Sequence, residues 1–126
     1  MTGELEAKLR DMFRAYDAND FQRALTMLAD DVQQVDEISR RWIRDRPGIE
    51  AYLDQIAGSV EDIRSDLGDV HEEVWGDVGL VTCWLEQDYV LQGQRQHISA
   101  PTTAVLRREN GEWKFTLFHS VPLPAE

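Results

Sequence analysis

A carboxylate and an imidazole stand out as groups able to move a proton. Asp36 sits in the short extended segment "VQQVDEIS", and His119 closes the last apolar run, "EWKFTLFHS". If the short segment faces an apolar interior, Asp36 loses hydration and becomes a better proton acceptor. On the surface it is one acid in a stretch crowded with Asp30, Asp31 and Glu37. An imidazole changes charge near neutral pH, so His119 suits an acid–base or hydrogen-bonding partner. The plainer alternative is a histidine satisfied by backbone or by a neighbouring acid. The two-residue period of a strand puts Trp113, Phe115, Leu117 and His119 on one face, so the imidazole points wherever the rings point. Ser120 falls on the opposite face, and no Ser-His triad is read here.

The remaining candidates are aromatic or hydroxyl-bearing. Tyr16 belongs to the helical stripe Leu5, Leu9, Met12, Phe13, Tyr16, where it either offers a hydroxyl or simply packs. Trp42 precedes a helix, Trp84 shares a strand face with Thr82 and Glu86, and Trp113 opens the closing strand. Aromatic lining of this kind suits a planar, mostly apolar ligand, although core or interface packing is the commoner fate of such rings. Phe118, facing away from His119, groups with Leu106 and Tyr89 as a candidate dimer surface. His71, His97 and His119 are a full strand apart and the chain has a single cysteine, so no metal site is read. Glycine-rich phosphate loops are absent, and no nucleotide or other cofactor is indicated.

Charge narrows the partners further. Twenty-four acids against 13 bases give a net charge of −11, the wrong sign for a nucleic-acid surface. The cluster Arg40, Arg41, Arg44 and Arg46 is short and flanked by acids, as in a solvated loop. Cys83, alone in "LVTCWLE", reads as a small core hydrophobe rather than a nucleophile, and a lone cysteine suits a reducing compartment. No stretch has the length of a membrane span or the shape of a signal peptide, so a cytoplasmic location is expected.

The elements that must position these residues follow from periodicity. Residues 4 to 17 read as a helix. Asp20 can cap a second with Phe21, Ala24, Leu25 and Leu28 on its face. Asp45 can cap a third, with Pro47 in its first turn and the stripe Ile49, Tyr52, Leu53, Ile56, Val60. From residue 63 onward the pattern alternates: strands end at Gly76-Asp77, at Gln92-Gly93 and at the hairpin turn Asn110-Gly111, an antiparallel meander. Pro101 inside the fourth segment implies a bulge or kink. At 126 residues, with no linker or repeat, the chain is expected to be one domain, residues 1–126. The expected class is α+β: a cone-shaped roll of three N-terminal helices packed on a strongly curved, mixed or antiparallel sheet.

Three segments, "DANDFQRALTMLADDVQQVDE", "WIRDRPGIEAYL" and "TTAVLRRENGEWKFTLFHSVPLP", resemble the SnoaL-like branch of the nuclear transport factor 2-like superfamily. Asp45 departs from that pattern, which usually carries glycine at the third-helix entry. The resemblance implies a cone with a pocket and a homodimer formed through the outer sheet face. Its members include ketosteroid isomerases, polyketide cyclases, an epoxide hydrolase, dehydratases and non-catalytic binding or assembly domains, so the pocket residues must choose the function. In the isomerases the general base is an aspartate; counted from Asp30 as one, Asp36 is the seventh and matches it. The isomerase's oxyanion donors are not matched: Met12 stands where its tyrosine would be, and its strand acid falls near Thr102 or Thr103. Steroid isomerisation is therefore not expected. Two readings remain. One is a cofactor-free isomerase, cyclase or hydrolase with Asp36 as base, His119 as partner, and Tyr16, Trp42, Trp84, Thr103 and Trp113 binding a small apolar or aromatic molecule. The other is a non-catalytic ligand-binding or dimerisation domain.

Overall fold

Leu5, Leu9, Met12 and Phe13 recur every three or four residues and form the buried face of the first helix, α1 (Glu4–Asp17). The computed structural model describes residues 3–36 and 38–123; Glu37, one of the acids crowding Asp36, lies outside the described residues. The start of α1 is held by the sheet, since the backbone N–H groups of Leu5 and Glu6 donate to the Glu72 carboxylate. That carboxylate meets the positive end of the helix dipole. Below it Gly79 has no side chain because Leu5 occupies the space: a Cβ there would lie 2.5 Å from Leu5 Cδ1.

Asp20 caps α2 (Phe21–Thr26), its side chain accepting from the Arg23 N–H, and Asp45 caps α3 (Arg46–Ile56), accepting from the Gly48 N–H. Both caps are where the sequence puts them. The helices are shorter than expected at their C-terminal ends. Leu28 begins β1 (Leu28–Val35), and Val60 begins β3 (Val60–Trp75) opposite Leu91. Their apolar side chains fit either a helical stripe or a strand face, and the tertiary pairing decides.

The chain continues as β4 (Val78–Leu91), β5 (Gln94–Glu109) and β6 (Glu112–Ser120), an antiparallel meander, with a two-residue strand β2 (Ile43–Arg44) at the other edge. Sheet order is β2-β1-β6-β5-β4-β3, and β1 runs parallel to β6, so the curved sheet is mixed. Two irregularities in β3, near Asp62 and Asp69, both at positive φ, add local twist to the long β3–β4 ribbon. The helices lie in the concavity of this sheet and bury a continuous apolar core with it.

Two features of strand geometry depart from simple expectation. Of the bulge or kink expected at Pro101 the bulge is absent, because pairing of β4 with β5 is unbroken past Trp84 and Pro101. β6 ends at Ser120 opposite Thr102, so on that side a missing N–H costs no ladder hydrogen bond. The second departure has larger consequences. The β5–β6 register shifts between Val105 and Leu106, which pair with Leu117 and Phe115, leaving Thr116 as an extra residue. This bulge reverses the alternation along β6: Trp113 and Phe115 face the core, and then Phe118 and Ser120 do. Leu117 and His119 turn outward.

Candidate functional site

Where α1, α2 and α3 meet the concave sheet, the packing leaves a cavity of about 440 Å3, its open mouth included. Phe13, Tyr16 and Phe21 form one wall, Leu53 and Ile56 another, and Ile63 and Phe118 the floor on the sheet. Much of that volume lies in the mouth, so anything larger than a few waters must move side chains or sit there. The side chains of Gln34, Asp36 and Gln87 and the hydroxyl of Tyr16 interrupt the apolar lining, and among the described residues no lysine or arginine lines it.

Asp36 directly follows β1 and is 8% exposed. Its Oδ1 accepts three hydrogen bonds: from the backbone N–H of Ile38 at 3.1 Å, from the backbone N–H of Ser39 at 2.6 Å, and from the Tyr52 hydroxyl at 3.1 Å. Oδ2 accepts one, from Gln34 Nε2 at 2.9 Å. The two backbone contacts make an Asx-type turn that aims the chain toward β2. Oδ1 is therefore fully used by the protein, and Oδ2 keeps a lone pair.

Gln87 is 3% exposed and belongs to a second chain of hydrogen bonds. Asp17, at the end of α1, accepts from both the backbone N–H and the hydroxyl of Ser65. Burial pushes the Asp17 carboxyl up, and those two Ser65 bonds hold it back. The Ser65 hydroxyl in turn accepts from Gln87 Nε2 at 3.0 Å. Gln87 Oε1 is buried without a partner.

The other residues singled out in the sequence are dispersed. Tyr16 lines the cavity and packs on Phe21 with ring centroids 5.7 Å apart. His119 does not reach the cavity. The bulge at Thr116 puts it on the outer face, opposite Thr103 and 6.0 Å from the Trp42 ring. Trp42, itself outside the cavity, is 45% exposed and carries the Arg44 guanidinium 5.5 Å from its ring centroid. Trp84 and Thr103 line a shallow groove on the same outer face, because positions 82, 84 and 103 alternate away from the core. Trp113 is 2% exposed in the core, with the Arg108 guanidinium 4.4 Å from its ring centroid. Phe118, Leu106 and Tyr89 are buried inside the fold and form no outer surface. Cys83 is buried among apolar groups, and desolvation pushes its thiol up to about 11, which suits a packing role.

Sequence reasoning missed Gln34, Tyr52 and Gln87 as site residues. For Gln87 a signal exists, since Val81, Cys83, Leu85 and Tyr89 share its buried face and a glutamine among them needs a reason. Tyr52 hides in an apolar helical stripe. Gln34 follows an irregular stretch of β1, where the register against β6 shifts between Leu28 and Gln33, so simple alternation does not place it.

Helices seated in the concavity of a six-stranded mixed sheet, with a small cavity at their junction, define a class of curved-sheet, pocket-bearing α+β domains. The SnoaL-like domain model matches residues 5–124, and the chain belongs to that family. Among solved structures it is similar to a candidate dehydratase of the NTF2-like family from Streptomyces avermitilis (23% identity, 97% of this chain and 95% of that one, TM-score 0.86). It also resembles a ketosteroid isomerase-like protein from Erwinia carotovora atroseptica (14% identity, 95% and 94% covered, TM-score 0.80). A third is the S. rosetta CaMKII hub (17% identity, 98% and 99% covered, TM-score 0.79). At these identities the likeness establishes the fold alone. No curated protein matches the chain.

Proposed function

We propose that this SnoaL-like domain binds a small, mostly apolar molecule in the cavity between its helices and sheet. The observation that carries the reading is a cavity walled by Phe13, Tyr16, Phe21, Leu53, Ile56 and Phe118 into which only a few fixed polar groups project. That is the ordinary make-up of a small-molecule site. A fragment screen by thermal shift tests it, run beside Ile56→Trp, which fills the space. Hits that vanish in the variant support the site; hits that persist, or none at all, reject it.

A second reading adds proton transfer, on the strength of the uneven use of the Asp36 oxygens. Oδ1 takes three donors and Oδ2 one, so Oδ2 is the atom left to accept a proton from a carbon acid or a water. Tyr16 supplies the one hydroxyl named among the lining residues. His119 is on the outer face, and the acid–base pair anticipated in the sequence does not form. Asp36→Asn separates the readings, because it removes turnover of a substrate while leaving binding of neutral fragments in place.

Self-association through the outer sheet face belongs to the same proposal. Trp42 and Trp84 are 45% and 40% exposed there, and solvated tryptophans on a sheet face suit a partner. Among the described residues no helix is long and apolar enough to cross a membrane. A reducing cytoplasmic setting suits the buried lone thiol of Cys83.

A further inference from the structure

The orientation of the Gln87 amide is set by a chain of hydrogen bonds that ends at a carboxylate. Asp17, as a carboxylate, has no hydrogen to give, so the Ser65 hydroxyl must spend its single hydrogen on Asp17 Oδ1, 2.8 Å away. The Ser65 oxygen can then only accept from Gln87, and the group facing it must be the NH2. The carbonyl Oε1 is thereby directed away from Ser65, with no donor within reach. Gln87 lines the ligand cavity and is 3% exposed. A buried carbonyl without a hydrogen bond is costly, and a ligand donor or an ordered water would recover that cost.

The rest of the lining points the same way. Asp36, an acid whose Oδ2 accepts from Gln34 and keeps acceptor capacity, is in the lining, and among the described residues no cationic side chain lines the cavity. An anionic ligand would meet an acidic, acceptor-bearing wall with nothing to neutralise it. We infer that the cavity selects a neutral, mostly apolar molecule carrying a hydroxyl or N–H group, and that Gln87 Oε1 receives that hydrogen. Gln87 is thus a specificity-determining residue, and the inference rests on the small-molecule reading above.

Indole and its N-methyl and C-methyl derivatives test it. All three are flat and apolar; the N-methyl form lacks the donor, and the C-methyl form keeps it at equal bulk. Binding to the full chain is followed by amide NMR shifts at Tyr16, Ile56 and Phe118. Indole and the C-methyl form are expected to bind about tenfold more tightly than the N-methyl form, the worth of one buried hydrogen bond. In Gln87→Met that ratio should fall to about one, with the apolar contacts retained. Equal affinities in the unmodified protein, or equal weakening by either methyl group, overturn the donor assignment and leave Gln87 to a water. Failure of all three to bind overturns the small-molecule reading itself. The comparison in the unmodified protein decides the matter even where Gln87→Met does not fold.

Discussion

Tyr52 places its hydroxyl 3.1 Å from Asp36 Oδ1, joining the middle of α3 to the end of β1 across the cavity wall. Both groups are buried, at 5% and 8% exposure. The bond holds the carboxylate through Oδ1, while Oδ2 accepts from Gln34.

Tyr52→Phe should therefore lower stability by roughly 1.5–3 kcal/mol, the range for a hydrogen bond to a charged group. Urea denaturation with an unchanged m-value would report this as a shift in midpoint. A loss below a few tenths of a kcal/mol would show that Asp36 is held by Gln34, Ile38 and Ser39 alone.

Gly79→Ala should destabilise the seat of α1 by about 1–3 kcal/mol, because the new methyl overpacks against a fully buried Leu5. The cost should shrink when Leu5 is shortened to valine in the same chain, so that the double variant loses less than the sum of the two singles. Strict additivity would mean that the two side chains never compete for the space.

His97 stands between Asp88 and Glu86 on the outer face, with its Nδ1 2.9 Å from Asp88 Oδ1 and its Nε2 3.1 Å from Glu86 Oε2. The Asp88 hydrogen bond raises its pKa above the ordinary 6.5, with both carboxylates adding to the effect. A raised folded-state value means that the stabilisation is complete below about 6.5 and fades as pH climbs through the folded value. The site is exposed, so the effect is small and salt-sensitive. NMR titration should place the His97 midpoint above 6.5, and His97→Gln should flatten the decline of stability over that window. A midpoint at or below 6.5 would refute the bridging geometry.

The outer-face tryptophans predict a dimer. Analytical ultracentrifugation should find twice the 14.5 kDa chain mass, and Trp84→Glu should return it to one chain. The substitution replaces an exposed ring by a charge without touching the core, so near-UV circular dichroism of the remaining rings should change little. A monomer at high micromolar concentration without the substitution would remove this face from consideration.

Periodicity located α1, and the turn and cap residue types located the Asp20 and Asp45 caps and the three turns of the meander. These are local features, in which a residue's neighbours in the chain are also its neighbours in space. The resemblance singled out Asp36, which lines the cavity, and the structure adds that four donors hold it. His119 was misplaced for a definite reason. In "EWKFTLFHS" both Leu117 and Phe118 are apolar, so either fits the core, and no glycine or proline marks the extra residue at Thr116. One inserted residue then turns every later side chain to the other face.

From its own residues the chain determined an acidic α+β roll with helices first, a meander after them, and an apolar interior bearing a few polar groups. Only the three-dimensional arrangement decided which of those groups meet. The bulge in β6 sent His119 outward, and the pairing of β3 with β4 brought Ser65 and Gln87 together. Strand register is set by contacts between distant segments, and a shift of one residue there exchanges inside for outside, which no count along the chain can foresee.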